Sequence, residues 1–248
     1  MRRRALAWAC AWAACPAAWA AEPLVFDCSR TDGFAALASP ATDYYRLYSV
    51  YRGPDLRATM IEILPGRPRP PEEPPYPRDQ AVLVLSGGLQ AWRESQGAIK
   101  TSYGHFKYVR KGQKREQRRI LGDLPMHVLT IQGGGGNGPV RLPARSEFEL
   151  EEYAAREWKA GFAQASRTID LFSLSGFEAA LLLVRAPARF PGLTGKERLW
   201  FVLEGSAQVK IGSSVVSAGP KSLLRIPAGE PVSAVPEGRF SAVQVSAH

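Results

Sequence analysis

The stretch that decides the fold is ERLWFVLEGSAQVKIGSSVVSAGPKSLLRIPAG, residues 197–229. It contains three short runs of apolar or alternating residues, and turns that carry Gly or Pro separate them. This pattern is typical of antiparallel strands joined by tight turns. Many short strands with closely spaced turns predict an all-β barrel or sandwich.

The same plan occurs twice along the chain. MIEILPG at 60–66 and AVLVLSGGLQAW at 81–92 correspond to LLLVRAPARFPG at 181–192 and WFVLEGSAQVKI at 200–211. A duplicated unit predicts two similar domains, and the flexible run GGGGNG after position 132 separates them. The predicted boundaries are an N-terminal barrel over 21–132, a Gly/Pro-rich linker over 133–145 and a C-terminal barrel over 146–248. Ser146 followed by Glu149 also predicts a capped short helix within 148–158.

At these residues the chain resembles the cupin superfamily, specifically the two-barrel bicupins. The match is good over 177–247 and looser over 45–132. The resemblance implies two antiparallel β-barrels in tandem. In metal-dependent members, two His and a Glu precede the Gly of a VLEG-like turn, and a third His follows a PxG turn. Such a ligand set suits Fe, Mn, Ni or Zn.

Other residue types occupy these ligand positions in the second half. The two His positions hold Gly192 and Thr194, the Glu position holds Arg198, and the last His position holds Val232. Glu197 is one residue out of register, so it is expected to point to the other face of its strand. No metal and no cofactor are therefore predicted.

The first half departs from the pattern in the same way. Its corresponding positions hold Pro74, Tyr76, Gln80 and Arg115. The whole sequence has only three histidines, and no two of them have the spacing of metal ligands. These histidines are His105, His127 and His248.

The two arginines suggest an anionic ligand, because guanidinium groups bind carboxylate, sulfate and phosphate through paired hydrogen bonds. We interpret the chain as an exported, metal-free bicupin that binds a small or polymeric anion, such as a sugar acid. The first alternative is a metal-independent carbohydrate epimerase or isomerase with Tyr76 or Tyr103 as base. The second is a non-catalytic envelope partner protein. The candidate ligand-binding residues are Arg115, Arg198, Tyr76, Trp92, Trp200 and Gln80.

A strongly basic segment, KYVRKGQKREQRR, covers residues 107–119. The resemblance makes it a hairpin with a basic tip. A solvated loop is the simplest interpretation, and an anion-binding rim is the functional one. Nucleic acid is not an expected partner of an exported protein. The candidate surface residues are Lys107, Arg110, Lys111, Lys114, Arg118 and Arg119.

The first twenty residues have the pattern of a secretory leader. Arg2–Arg4 precede an apolar run, and small residues lead to a cleavage site after Ala20. A lipoprotein modified at Cys15 is less favoured because a Trp lies three residues before it. Removal of the leader lowers the net charge from +9 to about +6 and leaves Cys28 as a free, buried thiol. We expect a periplasmic or secreted protein without a transmembrane segment, and the sequence leaves dimerisation open.

Two further motifs predict little. The glycines of 133–138 match GxGxxG, but Pro139 and Pro143 follow where a nucleotide-binding helix would begin. The sequence has no GxSxG motif, and neither Ser173 nor Ser175 has a histidine close to it in sequence. No catalytic residue is therefore predicted.

Overall fold

The structure is a computed structural model that describes residues 24–37, 44–66, 75–93, 97–114, 117–134, 136, 138–143 and 146–248. The predicted leader lies outside these residues, as do Pro74 and Arg115. The predicted cupin-like all-β fold is confirmed, because strands dominate the described residues.

Among the described residues, ten strands begin before the Gly-rich segment. They are β1 (Val25–Asp27), β2 (Ala35–Ala36), β3 (Tyr45–Arg52), β4 (Leu56–Ile63), β5 (Gln80–Ser86), β6 (Gly88–Arg93), β7 (Gly97–Thr101), β8 (His105–Val109), β9 (Gln117–Leu121) and β10 (Met126–Gly133).

Ten further strands and a helix follow in the part of the second half that the structure describes. They are β11 (Glu147–Glu149), α1 (Leu150–Ala160), β12 (Ser166–Leu174), β13 (Phe177–Val184), β14 (Ala188–Phe190), β15 (Arg198–Glu204), β16 (Ala207–Ile211), β17 (Ser214–Ala218), β18 (Ser222–Ile226), β19 (Val232–Pro236) and β20 (Phe240–Ala247).

Each half of the chain contributes one large and one small antiparallel sheet. The first unit has a seven-stranded sheet, in the order β11-β8-β5-β10-β4-β3-β2, and a three-stranded sheet, β7-β6-β9. The second unit has a six-stranded sheet, β1-β18-β15-β20-β13-β12, and a four-stranded sheet, β14-β19-β16-β17. In each unit, many strands that lie side by side in a sheet are far apart in sequence. The sheets therefore form through long-range pairing.

Two short strands cross between the units, so the sheets do not follow the predicted sequence boundaries. Strand β1 pairs with β18 in the second unit, and β11 pairs with β8 in the first. Each crossing strand lies at the edge of its large sheet. Such strands satisfy backbone groups that an open edge would expose, and they tie the units together.

Three apolar clusters form the core. One fills the space between the sheets of the first unit and includes Tyr76, Val82 and Val128. A second fills the second unit and includes Trp200 and Phe240. The third and largest combines residues from both large sheets, so the units pack against each other through it. Burial of this shared face makes the two units one continuous structure.

A buried polar cluster lies within this shared face. Glu197 is 2% exposed, and its carboxylate accepts hydrogen bonds from the Tyr51 hydroxyl and from the Leu56 backbone N–H at 3.2 Å. The Arg225 Nε lies 3.7 Å from the same carboxylate. A Cβ at Gly53 would collide with both the carboxylate and the Tyr51 hydroxyl. The expectation that Glu197 faces away from the second barrel is therefore confirmed.

The helix begins later than the sequence predicted. Residues 147–149 form β11, and Glu149 is the N-cap without a side-chain capping bond, so Ser146 does not cap α1. Pairing of β11 with β8 extends the backbone where the capping motif predicted a helix start. Leu150, Ala154 and Trp158 are buried at helical spacing along one side of α1.

Cys28 is a buried free thiol, 2% exposed, as predicted. Burial raises the pKa of this thiol to about 12. Along the part of the chain that the structure describes, no helix is long and apolar enough to cross a membrane.

Candidate functional site

A cavity of about 230 Å³ lies on the face of the seven-stranded sheet that points away from the second unit. Strands β3, β4, β5 and β10 supply most of its wall. Its lining combines aliphatic side chains with hydroxyl and amide groups. The aromatic and polar lining residues are Tyr44, Tyr45, Thr59, Tyr76, Gln80, Thr130 and Gln132.

Strand alternation explains why these residues meet. On β4, Thr59 and Ile61 line the cavity, whereas Ala58 and Met60 belong to the cluster between the units. On β10, Val128, Thr130 and Gln132 line the cavity, and the intervening residues face the second unit. Because side chains of a strand point to opposite faces in turn, polar residues enter the cavity without breaking the shared core.

Hydrogen bonds fix part of the polar lining. The Gln132 Nε2 donates to the Gln80 Oε1 at 3.0 Å, and the Thr130 hydroxyl donates to the Thr59 carbonyl at 3.2 Å. The Tyr44 and Tyr45 rings meet edge to face, with centroids 6.2 Å apart. None of the described lining residues carries a charge. The cavity can therefore offer aromatic faces and neutral hydrogen-bonding groups.

The structure brings together two of the six predicted ligand-binding residues. Tyr76 and Gln80 are each 5% exposed, and both line the cavity. Backbone hydrogen bonds with Gln113 and Gly112 hold Tyr76 in place. The Trp92 side chain and all of Arg115 lie outside what the structure describes.

Trp200 is not a ligand-binding residue in this structure. It is fully buried in the core of the second unit, and its ring meets Phe190 edge to face at 5.0 Å. Its indole Nε1 donates to the Gln244 Oε1 at 2.8 Å. Because the ring is enclosed and its polar atom is satisfied, Trp200 serves packing.

Arg198 lies on the same face of β15 as Trp200 and is 2% exposed. Its Nη2 donates to the Glu230 carbonyl at 2.7 Å. Among the described residues, its Nε has no hydrogen-bond partner and no carboxylate lies within ion-pair distance of the guanidinium. Burial lowers the pKa of this group because the cation loses its hydration. The second unit therefore encloses a positive charge at the position where the resemblance predicts a Glu ligand.

The residues at the metal-ligand positions that the resemblance predicts do not fit a metal ion. A guanidinium repels cations and has no lone pair to donate, and Val232 offers only hydrocarbon. Tyr76 and Gln80 in the first unit are neutral and lack a neighbouring His or carboxylate in the described lining. Along the described ranges, no three His, Cys, Asp or Glu side chains cluster as metal ligands would.

The basic segment is not a hairpin. Strand β8 pairs with β5 and β11 in the large sheet, whereas β9 pairs with β6 in the small sheet. The chain between β8 and β9 thus crosses from one sheet to the other. The resemblance predicted the wrong pairing because β8 already has a partner on each side.

The predicted surface cations have different environments. The Lys107 side chain is only 12% exposed, and its Nζ lies 3.8 Å from the Glu147 carboxylate, so Lys107 does not belong to an exposed basic patch. Arg110, Lys111 and Lys114 are exposed on the crossing segment. Arg118 and Arg119 lie in β9, and their side chains are not among those described.

Tyr103 does not fit the role of a catalytic base. Its hydroxyl donates to the Leu203 carbonyl at 3.1 Å, which joins the two units rather than facing the cavity. Burial raises the pKa of this phenol to about 12, and the negative charge of Glu151 adds to the increase. The phenolate that a base requires is therefore disfavoured.

A polar row that the sequence did not predict crosses the large sheet of the first unit. In register order, Arg46 faces Glu62 on the next strand, Glu62 faces His127, and His127 faces Ser86. The Ser86 Oγ lies 2.8 Å from the His127 Nδ1, and the His127 Nε2 lies 3.6 Å from the Glu62 Oε1. The four residues are far apart in sequence, so only the strand register could have identified them.

Several solved structures have a fold similar to that of this chain. A cupin 2 conserved barrel domain protein from Leptotrichia buccalis aligns with a TM-score of 0.61 and 11% identity, over 86% of this chain and 92% of that chain. The chain has a cupin-like fold. A salicylate 1,2-dioxygenase from Pseudaminobacter salicylatoxidans aligns with a TM-score of 0.63 and 13% identity, over 86% and 75% of the two chains.

A third neighbour is a putative glyoxylate-induced protein from Pseudomonas aeruginosa, with a TM-score of 0.60 and 16% identity, over 86% and 83% of the chains. No protein-family model and no curated protein matches the sequence. Identities this low establish the fold and leave the ligand of this cupin-like protein to be argued from its own residues.

Proposed function

We propose that this protein is a bicupin that binds a small, uncharged ring compound in the cavity of its first unit. The observation that carries the proposal is the lining, in which tyrosine, threonine and glutamine side chains alternate with aliphatic ones and no described side chain is charged. Ligand sites are typically apolar cavities with a few placed polar groups. A monosaccharide or a simple phenol matches this chemistry.

The size of the cavity limits the ligand. Sites for drug-sized molecules span about 300–1,000 Å³, and this cavity has about 230 Å³. A single ring can use the Tyr44 and Tyr45 faces while its hydroxyl or carbonyl groups reach Gln80 and Gln132. Beyond the bond between them, the two amides retain further donor and acceptor capacity, so the pair can both donate to and accept from a neutral ligand.

Binding is favoured over catalysis. Among the described lining residues, Tyr76 is the one ionisable group with a predicted catalytic role, and no His or carboxylate accompanies it. General acid–base catalysis needs a group that changes protonation near the working pH. The epimerase or isomerase alternative therefore has less support than ligand binding.

Calorimetric titration with monosaccharides and phenols, each beside its carboxylated counterpart, tests the proposal. We expect an uncharged ring to bind and the carboxylated analogue to bind at least about tenfold more weakly, which corresponds to about 1.4 kcal/mol. Gln80→Leu and Gln132→Leu should each weaken binding by a similar factor, because a ligand polar group then loses its partner.

Gln208→Leu is the matched control, since Gln208 is an exposed strand residue in the second unit. The control should leave affinity unchanged. The proposal fails if neutral rings do not bind the folded protein, or if the cavity variants and the control bind equally well.

The anionic ligand predicted from the sequence is a second candidate, and Arg198 is the observation that favours it. A buried cation without a carboxylate in contact is costly unless an anion accompanies it. A small carboxylate or sulfate at the Arg198 guanidinium would supply the missing charge.

Thermal unfolding in acetate and sulfate at constant ionic strength distinguishes this second candidate. The melting temperature of the wild-type protein should rise more than that of Arg198→Met. An anion present at 100 times its Kd would stabilise the folded protein by about 2.7 kcal/mol. Arg189→Met is the control because Arg189 is exposed on β14. Equal shifts in all three proteins would reject an anion site at Arg198.

Export remains part of the proposal. The Arg-rich start, the apolar run and the small residues before position 21 support cleavage after Ala20 and delivery to the periplasm or medium. Cell fractionation with a mass measurement of the recovered protein tests it.

A further inference from the structure

The polar row of Arg46, Glu62, His127 and Ser86 has the composition of a nucleophilic site. Its face of the sheet is opposite to the cavity, because Ile61, Val84 and Val128 point inward while Glu62 and His127 point outward. The proposed binding function does not use these residues. We propose that Ser86, His127 and Glu62 form a serine–histidine–glutamate site that hydrolyses small carboxylic esters.

A β-bulge places the nucleophile. Val84 faces Val128 across the strand pair, but the next paired residues are Ser86 and His127, so the register shifts at this point. Plain alternation would send Ser86 into the barrel with Val82 and Val84. The extra residue instead turns Ser86 to the outer face beside His127, as bulges near active sites commonly do.

A glycine turn holds this arrangement. Gly87 follows Ser86 with a φ of 76°, and a Cβ at that position would lie 2.9 Å from the Met126 Cα. The turn can therefore approach β10 closely only with glycine. Its backbone N–H, directly after the nucleophile, is our candidate donor to the developing oxyanion.

The hydrogen-bond pattern gives each group its role. The Ser86 Oγ is 2.8 Å from the His127 Nδ1, within reach for proton transfer. The Glu62 Oε2 accepts from the Tyr48 hydroxyl at 3.1 Å and from the Arg46 Nη1 at 3.3 Å. These donors orient the carboxylate so that its Oε1 faces the His127 Nε2. With the Nε2 protonated, the Nδ1 accepts the serine proton, and either ring nitrogen can serve as base in this way.

The described chain contains a second serine–histidine pair, in which the hydroxyl has a different hydrogen-bond acceptor. The Ser173 Oγ lies 3.0 Å from the His248 Nε2, but it donates its proton to the Pro139 carbonyl at 2.6 Å. Ser173 is also 7% exposed. This hydroxyl cannot give its proton to the histidine, so the pair serves as an internal control.

The row is open to solvent. The His127 side chain is 21% exposed and Ser86 is half-buried. Leu124, three residues before His127, is an apolar side chain that is 77% exposed. A small ester therefore suits this surface.

The reaction is balanced by these residues and water. The Ser86 oxygen bonds to the ester carbonyl carbon while its proton moves to the His127 Nδ1. The bond from that carbon to the alcohol oxygen then breaks, and the proton leaves with the alcohol. Water attacks the acyl-serine and gives a proton to His127, which returns it to Ser86 as the carboxylic acid departs.

The test is a fluorophosphonate probe followed by peptide mass spectrometry, together with hydrolysis of p-nitrophenyl acetate. We expect one adduct on Ser86, none in Ser86→Ala, and labelling slower by about 100-fold or more in His127→Ala, the range of a general base. Ser173→Ala should label as the wild type does.

Ser86→Cys provides a second measurement that does not depend on ester turnover. The thiol introduced by this substitution should react with iodoacetamide faster than a free cysteine at the same pH, and adding His127→Ala should remove the difference. The proposal is overturned if folded protein gives no Ser86 adduct, if His127→Ala labels at the wild-type rate, or if the thiol of the Ser86→Cys variant reacts no faster than free cysteine.

Discussion

Replacing Glu197 by alanine should loosen the joint between the two units. The carboxylate accepts hydrogen bonds from the Tyr51 hydroxyl and the Leu56 N–H, and the Arg225 Nε lies 3.7 Å away. Each buried donor left without an acceptor costs about 1–3 kcal/mol, and breaking a buried charge pair costs about 3–5 kcal/mol. We therefore expect a loss of about 3–5 kcal/mol in the free energy of unfolding.

A double-mutant cycle separates this effect from the loss of packing. Tyr51→Phe alone should cost about 1–3 kcal/mol, because it removes the donor from the carboxylate. In the Glu197→Ala background, the same change should cost less than about 0.5 kcal/mol, since the hydroxyl no longer has this acceptor. The free energies come from urea unfolding at pH 7, analysed with a common m-value.

Tyr51 and Glu197 should therefore be strongly coupled. A coupling energy below about 0.5 kcal/mol, the spread found for independent sites, would refute it. A changed m-value would mean that the units separate before they unfold, and the cycle would then be read from the transition of the second unit.

Four other outcomes are expected. Burial raises the pKa of Glu197 above its ordinary value of 4.5, so the folded protein holds this proton more tightly than the unfolded chain. The free energy of unfolding should therefore fall as pH rises from 4.5 through the raised pKa. In a plot of urea midpoint against pH, Glu197→Gln should flatten this part of the profile. Trp200→Ala should cost about 3–5 kcal/mol in urea unfolding and leave affinity for the cavity ligand unchanged. Cys28, whose pKa is raised to about 12, should resist a thiol reagent in the native protein and react once urea unfolds it. Exported protein should have the mass expected for cleavage after Ala20, and an uncleaved or lipid-modified product would contradict this.

The sequence predicted the fold class because its signals are local. Alternation in residues 197–229 and the glycines that end each run depend only on neighbouring residues. The same period of two predicted that Glu197, directly before β15, points to the opposite face from Arg198. Counting back from Gly87 also found Tyr76 and Gln80, which both line the cavity.

Local signals did not predict the environments of the other site residues. Trp200 and Arg198 share one strand face, yet the first is enclosed in the core and the second is a buried cation. Tyr103 is a residue type that can act as a base, but its hydroxyl donates a hydrogen bond to the Leu203 carbonyl of the other unit. Burial and partner identity depend on which distant strand packs over each residue, and the sequence of one strand does not contain that information.

The sequence by itself determined that this protein has an all-β, cupin-like fold, because alternation and turn-forming residues act over a few positions. Only the tertiary structure decided which side chains meet. Ser86 and His127 are 41 positions apart, and Tyr51 and Glu197 are 146 apart. Strand register and a single bulged residue bring the first pair together, whereas the second pair meets where the two large sheets pack against each other. Contacts of this kind depend on the packing of whole sheets, which no short stretch of sequence specifies.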